Sequence, residues 1–212
     1  MTLEAPSRDE RTILEGLNWS TYEALLADLG EHRGRRIAYD RGVLEIMSPS
    51  QSHEELKRLI GRLVETLSLE RGIEILSTSS LTLKRMDLLK GLEADESYYI
   101  QNEARVRHKE IDLSVDPPPD LAIEVEITRS VIDRLGIHSA LGVPEIWRHD
   151  ATSLEILLLK DDGNYRSSDR SGAFPMLSAD ELNRFLAQRS VLSENQLVIA
   201  FRTWLRQQLK TG

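Results

Sequence analysis

The segment Pro117-Pro118-Pro119-Asp120-Leu121-Ala122-Ile123-Glu124-Val125-Glu126-Ile127 carries the clearest structural signal in the chain. After the prolines, odd positions hold Leu, Ile, Val and Ile, while even positions hold Asp, Ala, Glu and Glu. Side chains alternate across a strand, so one face is wholly apolar and the other gathers carboxylates. Glu124 and Glu126 then lie about 6–7 Å apart at their Cα atoms. Two ionised carboxylates on a core strand repel each other and resist desolvation unless water, a base or a cation reaches them. A hard divalent ion meets that need, because Mg²⁺ accepts one or two carboxylates and keeps several waters. The competing reading is an edge strand whose acidic face simply meets solvent.

Downstream, the pattern predicts a helix over 130–141, stopped by Gly142, then strands over 145–148 and 154–159 with an Asp161-Asp162-Gly163-Asn164 turn. Two closing helices are announced by capping boxes, Ser178 with Glu181 and Ser193 with Gln196. The last of them buries Leu197, Val198, Phe201, Trp204, Leu205 and Leu209. Upstream, residues 1–11 read as a loose arm. Ser20 and Glu23 predict a capped helix with Tyr22, Leu25, Leu26 and Leu29 on one face, and Asp40-Arg41-Gly42 turns a hairpin. Ser52 with Glu55 opens a longer helix, in which Leu56, Leu59, Ile60, Leu63 and Leu67 recur at helical spacing up to Arg71-Gly72. Short strands are expected over 73–76, 81–84 and 97–100.

Composition narrows the function. The 212 residues include no cysteine, which removes disulfides, zinc–thiolate sites and cysteine nucleophiles. No apolar run is long enough for a membrane span and no signal peptide is visible, so a cytoplasmic protein is expected. A net charge of −8 argues against a protein that coats nucleic acid nonspecifically. Local basic patches exist at His32-Arg33-Gly34-Arg35-Arg36, at Lys57-Arg58 with Arg62, and at Arg105 to Lys109. Each reads more readily as solvated surface than as a DNA contact.

The series Glu93-Ala94-Asp95-Glu96-Ser97, the strand from Pro119 to Ile127, Asp133-Arg134, and Leu141-Gly142-Val143-Pro144-Glu145-Ile146-Trp147 resembles a known family. Ser48-Pro49-Ser50 leading into His53-Glu54 belongs to the same series. The chain is similar to the restriction-endonuclease-like family of the PD-(D/E)XK nuclease superfamily over roughly residues 12–160. The resemblance implies an α/β (α+β) fold: a mixed central β-sheet flanked by helices, with an N-terminal helix and hairpin and C-terminal helices. At 212 residues the chain length fits a single domain over 1–212, with a C-terminal helical extension at about 177–210.

The same resemblance implies a Mg²⁺-dependent DNA endonuclease, Mn²⁺ being the other candidate ion, acting as a homodimer on DNA. Asp95 takes the place of the metal-binding Asp, although Ala94 stands where the family often has Pro. Glu124, 29 positions later, is the metal-binding Glu, and Glu54 is the helix acid, Glu55 being committed to its cap. The usual Lys is replaced by Glu126, and Arg134 on the next helix is the candidate for the missing positive charge. His53, Asp120 and Lys57 are candidates for supporting the metal ligands or touching DNA; His53 also reads as a capping or surface residue and Asp120 as a strand-start residue. His138, where the family commonly has Tyr, is expected to pack the helix, and Trp147 to be core. The alternative function is a nuclease scaffold that has lost cleavage and serves in DNA binding or assembly.

Overall fold

The computed structural model describes residues 8–30, 34–79 and 81–211, the last three by backbone alone. Residues 1–7 of the expected arm, His32, Arg33, Ser80 and the Leu209 side chain lie outside the described residues. In chain order the elements are β1 (Glu10–Leu14), α1 (Trp19–Leu29), β2 (Arg36–Asp40), β3 (Val43–Ser48), α2 (Gln51–Arg71), β4 (Leu76–Ser77), β5 (Thr82–Arg85), β6 (Lys90–Glu93), β7 (Glu96–Tyr99), α3 (Glu103–Val106), β8 (Leu121–Val125), α4 (Arg134–Leu141), β9 (Glu145–His149), β10 (Leu154–Leu159), β11 (Tyr165–Ser168), α5 (Ala179–Leu186) and α6 (Glu194–Thr211). The fold is mixed α+β.

Two sheets result. One is antiparallel throughout, in the order β1-β3-β2-β6-β5. The other runs β11-β10-β9-β8-β7-β4 and is mixed, because β8 and β9 pair in parallel across α4. A parallel pair needs such a crossover, whereas the antiparallel β2–β3 hairpin closes on two residues. Arg41 and Gly42 both have positive φ there, 44° and 98°.

Strand β8 is central and all five of its residues are buried. Leu121, Ile123 and Val125 point into a core shared with α2, β10, α5 and α6, through side chains such as Leu63, Ile156, Phe185 and Phe201. The opposite face carries Ala122 into a second core with Ala38, Leu92 and Ile137. The acidic face is therefore covered by α4 and the first sheet, and the solvent-facing edge-strand reading falls. Trp147 is fully buried in the first core, as expected.

Several local expectations need correction. Part of the presumed loose arm is strand β1, paired with β3 from Glu10↔Ser48 to Leu14↔Leu44. Helix α1 is capped by Asn18, whose side chain accepts from Thr21 N at 2.9 Å, and Glu23 pairs instead with Lys84. Helix α2 is capped by Ser50, which accepts from His53 N; Glu55 accepts from Gln51 Nε2 rather than closing a box with Ser52. The helix expected from residue 130 begins only at Arg134, because Asp133 is its cap and the amides before it are bound by side chains. Of the strand expected over 73–76 only Leu76 is in a strand, at the start of β4, and β6 and β11 are additional to the expected strands. The boxes at Ser178–Glu181 and Ser193–Gln196 are present.

The cap reassignment has a simple test. Asn18→Ala is expected to cost about 1 kcal/mol in urea denaturation, and Ser20→Ala clearly less, since only Asn18 satisfies a free helix amide. Equal losses would restore Ser20 as the cap.

Candidate active site

Asp95 lies between β6 and β7, where the chain crosses from one sheet to the other. It is 1% exposed. Its Oδ2 accepts from Val125 N at 2.8 Å, which fastens it to the end of β8 beside Glu124. Its Oδ1 faces His53 Nε2 at 3.0 Å and Arg36 Nε at 3.7 Å. These two approaches are poorly aligned for hydrogen bonds, so they are charge contacts, and Oδ1 keeps spare acceptor capacity.

Glu124 projects from β8 towards α4. Arg134 grips it bidentately, Nε to Oε2 at 2.8 Å and Nη2 to Oε1 at 3.0 Å, while Nη2 also donates to Glu93 O at 2.7 Å. His138 Nε2 lies 2.6 Å from Oε1; a carboxylate can only accept, so Nε2 carries the proton. Arg134 and His138 are four residues apart and thus share one face of α4. Burial alone would raise the Glu124 pKa, yet the Arg134 charge and the His138 hydrogen bond hold it below the usual range. The Arg134 guanidinium is held above its ordinary value: Glu124 outweighs the desolvation that opposes its charge.

His53 is fully buried and bridges two acids, Asp95 on one ring nitrogen and Asp9 Oδ2 on the other at 3.5 Å. Asp9 is itself fixed by Ser50 N at 2.9 Å. Burial pushes the His53 pKa down, but the negative charges of Asp95 and Asp9 prevail and raise it to about 9. Asp95 shows the mirror effect: burial raises its pKa, and the His53 charge overcomes that and lowers it. Deep burial excludes the capping-only and surface readings of His53.

The remaining expected residues fall into two groups. Glu54 pairs with Arg36 Nη2 at 3.4 Å and Lys57 Nζ at 2.5 Å, so it joins the Asp95 side through Arg36. Asp120 stands apart from the acids, accepting from Ile100 N, Asn102 N and Asn102 Nδ2, which is a strand-start role. Glu126 follows β8 and lines, with Glu124 and Arg134, a cleft of about 530 Å³. One of its oxygens accepts from Ser130 N at 3.2 Å. Asp95 is not among the residues lining that cleft.

The sequence left several contributors unseen. His138 is a partner of Glu124 rather than mere helix packing. The sequence marks neither Asp9 nor Glu45 as a site residue, and Arg36 only as part of a basic patch. Glu45 on β3 is 1% exposed and accepts from Ser130 Oγ, from Val131 N and from Arg11 Nη1, tying the 126–133 loop to the first sheet. A single acid among Val43, Leu44, Ile46 and Met47 is the local signal for Glu45. The basic patches are largely neutralised within the molecule: Arg62 pairs with Glu194, Arg107 with Glu103, and Lys109 with Asp116.

No helix among the described residues is long and apolar enough to cross a membrane. No curated protein matches the chain. The model of the Uma2 family, described as "Putative restriction endonuclease", matches residues 19–189. That span takes in Asp95, Glu124 and both of the α4 residues that hold Glu124. The chain belongs to the Uma2 family and has a restriction-endonuclease-like fold.

Proposed function

We propose that this protein hydrolyses phosphodiester bonds in DNA with the help of Mg²⁺ or Mn²⁺, using Asp95 and Glu124 as its acidic pair. The observation that supports the reading is the Val125 N–H bond to Asp95, which ties the buried carboxylate of the β6–β7 crossing to the end of β8 next to the buried Glu124. Such a pair is costly unless it has a use or a counter-charge.

The donor set fits a hard ion by chemistry. Asp95 Oδ1 is a buried oxygen without an aligned donor, and Mg²⁺ needs only one or two carboxylates besides water and phosphate oxygens. No group of three or more His, Cys, Asp or Glu side chains is gathered for a metal among the described residues. Asp95 and Glu124 would therefore hold the ion together with water and the substrate, and Glu54 would remain outside. When bound, the ion would offset charge at the scissile phosphate and lower the pKa of the attacking water.

The chain's own residues do the positioning. His53 and Val125 N–H keep Asp95 ionised and oriented. Arg134 would swing its charge from Glu124 to the negative charge developing on the phosphoryl oxygens; as a guanidinium it stays protonated and cannot serve as a base. Glu126 has a second oxygen available to orient water. Duplex cutting needs two such sites, and a homodimer would supply them.

The test is incubation of purified protein with supercoiled DNA in Mg²⁺, in Mn²⁺ and in chelator. Nicked or linear product with either ion and none in chelator is expected. Intact DNA with both ions would overturn the reading and favour a scaffold that binds without cutting, as Glu126 in the usual Lys position suggests.

A further inference from the structure

A phosphodiester substrate is an anion, and it must approach a cleft lined by Glu124, Glu126, Asp133 and Asp150 in a protein of net charge −8. Repulsion has to be offset close to the cleft, not somewhere on the surface. Four arginines line it. Three are already committed: Arg11 to Glu45, Arg134 to Glu124, and Arg148 to Glu155. Arg129 is exposed and, among the described residues, has no ion pair and no side-chain hydrogen bond. Among the described residues it is the one arginine of the cleft free to meet a ligand.

Its setting is built rather than loose. Immediately before it, Thr128 O accepts from Arg11 Nη2 at 2.7 Å. Immediately after it, Ser130 N donates to Glu126 at 3.2 Å and Ser130 Oγ donates to Glu45 at 2.9 Å. Val131 N donates to Glu45 as well, at 3.2 Å. The backbone on both sides of Arg129 is thus pinned to the first sheet while its side chain is left in solvent. A free cation on a fixed backbone loses little entropy on binding, beyond that of its own rotamers. Most of the acids nearby are held by other donors: Asp133 by Gly136 N, Asp150 by Thr152 and Ser153, and one oxygen of Glu126 by Ser130 N.

We propose that Arg129, displayed by the pinned 126–133 loop at the rim of the Glu124 cleft, is the phosphate anchor that seats the DNA backbone. The proposal rests on the nuclease reading and adds the group that positions its substrate. One neutralised phosphate is one released counterion, so Arg129 sets both affinity and the salt dependence of binding.

The experiment is fluorescence anisotropy of a labelled 20-base-pair DNA duplex, titrated with full-length protein in chelator at several salt concentrations. Arg129→Ala is expected to bind roughly tenfold more weakly at low salt, with the slope of log K against log salt reduced by about one. Arg129→Lys should keep the slope, because a phosphate contact needs only a positive charge. Arg166→Ala, which removes an exposed arginine paired with Asp162 away from the cleft, should change neither quantity. Unchanged affinity and slope in Arg129→Ala would overturn the proposal while leaving the nuclease reading standing. Equal losses in Arg166→Ala would overturn it too, since general charge would then explain the binding. Failure of the wild-type protein to bind DNA at any salt, combined with failure to cut it, would overturn both readings.

Discussion

Arg134→Ala is expected to destabilise the protein by about 3–5 kcal/mol in chelator, because it strands a buried carboxylate that has lost its cation. Glu124 is 6% exposed and would keep only the His138 hydrogen bond. For a chain of this size the loss corresponds to a fall in Tm on the order of 10 °C. The same vacancy should make a divalent ion more effective. In the wild-type protein the guanidinium covers both Glu124 oxygens, so an ion has to displace it. In the variant nothing cationic competes at Glu124, and Mg²⁺ or Mn²⁺ should raise Tm by more than it does in the wild type. Cleavage should nevertheless fall by about one to three orders of magnitude, as for loss of a preorganised electrostatic contact. Glu124→Gln is the complement: it leaves the buried Arg134 without its ion-pair partner and should abolish most of the ion-dependent rise. Normal cleavage by Arg134→Ala would remove Arg134 from the mechanism. An equal ion-dependent rise in wild type and Glu124→Gln would place the ion elsewhere.

The contrast between Glu124 and its partners marks what the sequence carries locally. Alternation over 120–127 is a period-two signal contained in eight residues, and it located β8 and the direction of Glu124. Helix α2 was equally legible, since Leu56, Leu59, Ile60, Leu63 and Leu67 are all buried as their spacing required. Cap position was less so: Asn18 and Ser20 are both good caps two residues apart, and only the path of the incoming chain decides between them. Lys90-Gly91-Leu92-Glu93 has no strand pattern of its own; β6 exists because β2 and β5 flank it. Long-range pairs were out of reach altogether. His53 meets Asp9 and Asp95, and Ser130 meets Glu45 85 positions away, so neither contact leaves a trace in any short window. The resemblance named Asp95, Glu124 and Arg134, but what balances their charges emerges only from the packing.

Stability should peak near pH 6.5, with two buried histidines responsible for opposite limbs. His53 has its pKa raised from 6.5 to about 9, so its contribution is complete below 6.5 and is lost as pH rises through 9. His149 is the reverse case. Burial, reinforced by Arg189, lowers its pKa from 6.5 to about 4, so the unfolded chain takes up a proton there that the folded one refuses. Its penalty is absent above 6.5 and grows as pH falls towards 4. Each limb is worth roughly 2–4 kcal/mol, from 1.4 kcal/mol per pKa unit. The carboxylate Asp95, lowered by the same His53, acts outside this window, in more acid solution. Urea denaturation in chelator between pH 4.5 and 9.5 separates the two. His53→Gln should be less stable throughout, since Asp9 and Asp95 lose the cation between them and keep the more distant Arg11, Arg36 and Arg134, and its alkaline limb should flatten. His149→Gln should flatten the acid limb and leave the alkaline one intact. An alkaline slope in His53→Gln parallel to that of the wild type would mean that the Asp9–His53–Asp95 bridge does not hold its proton.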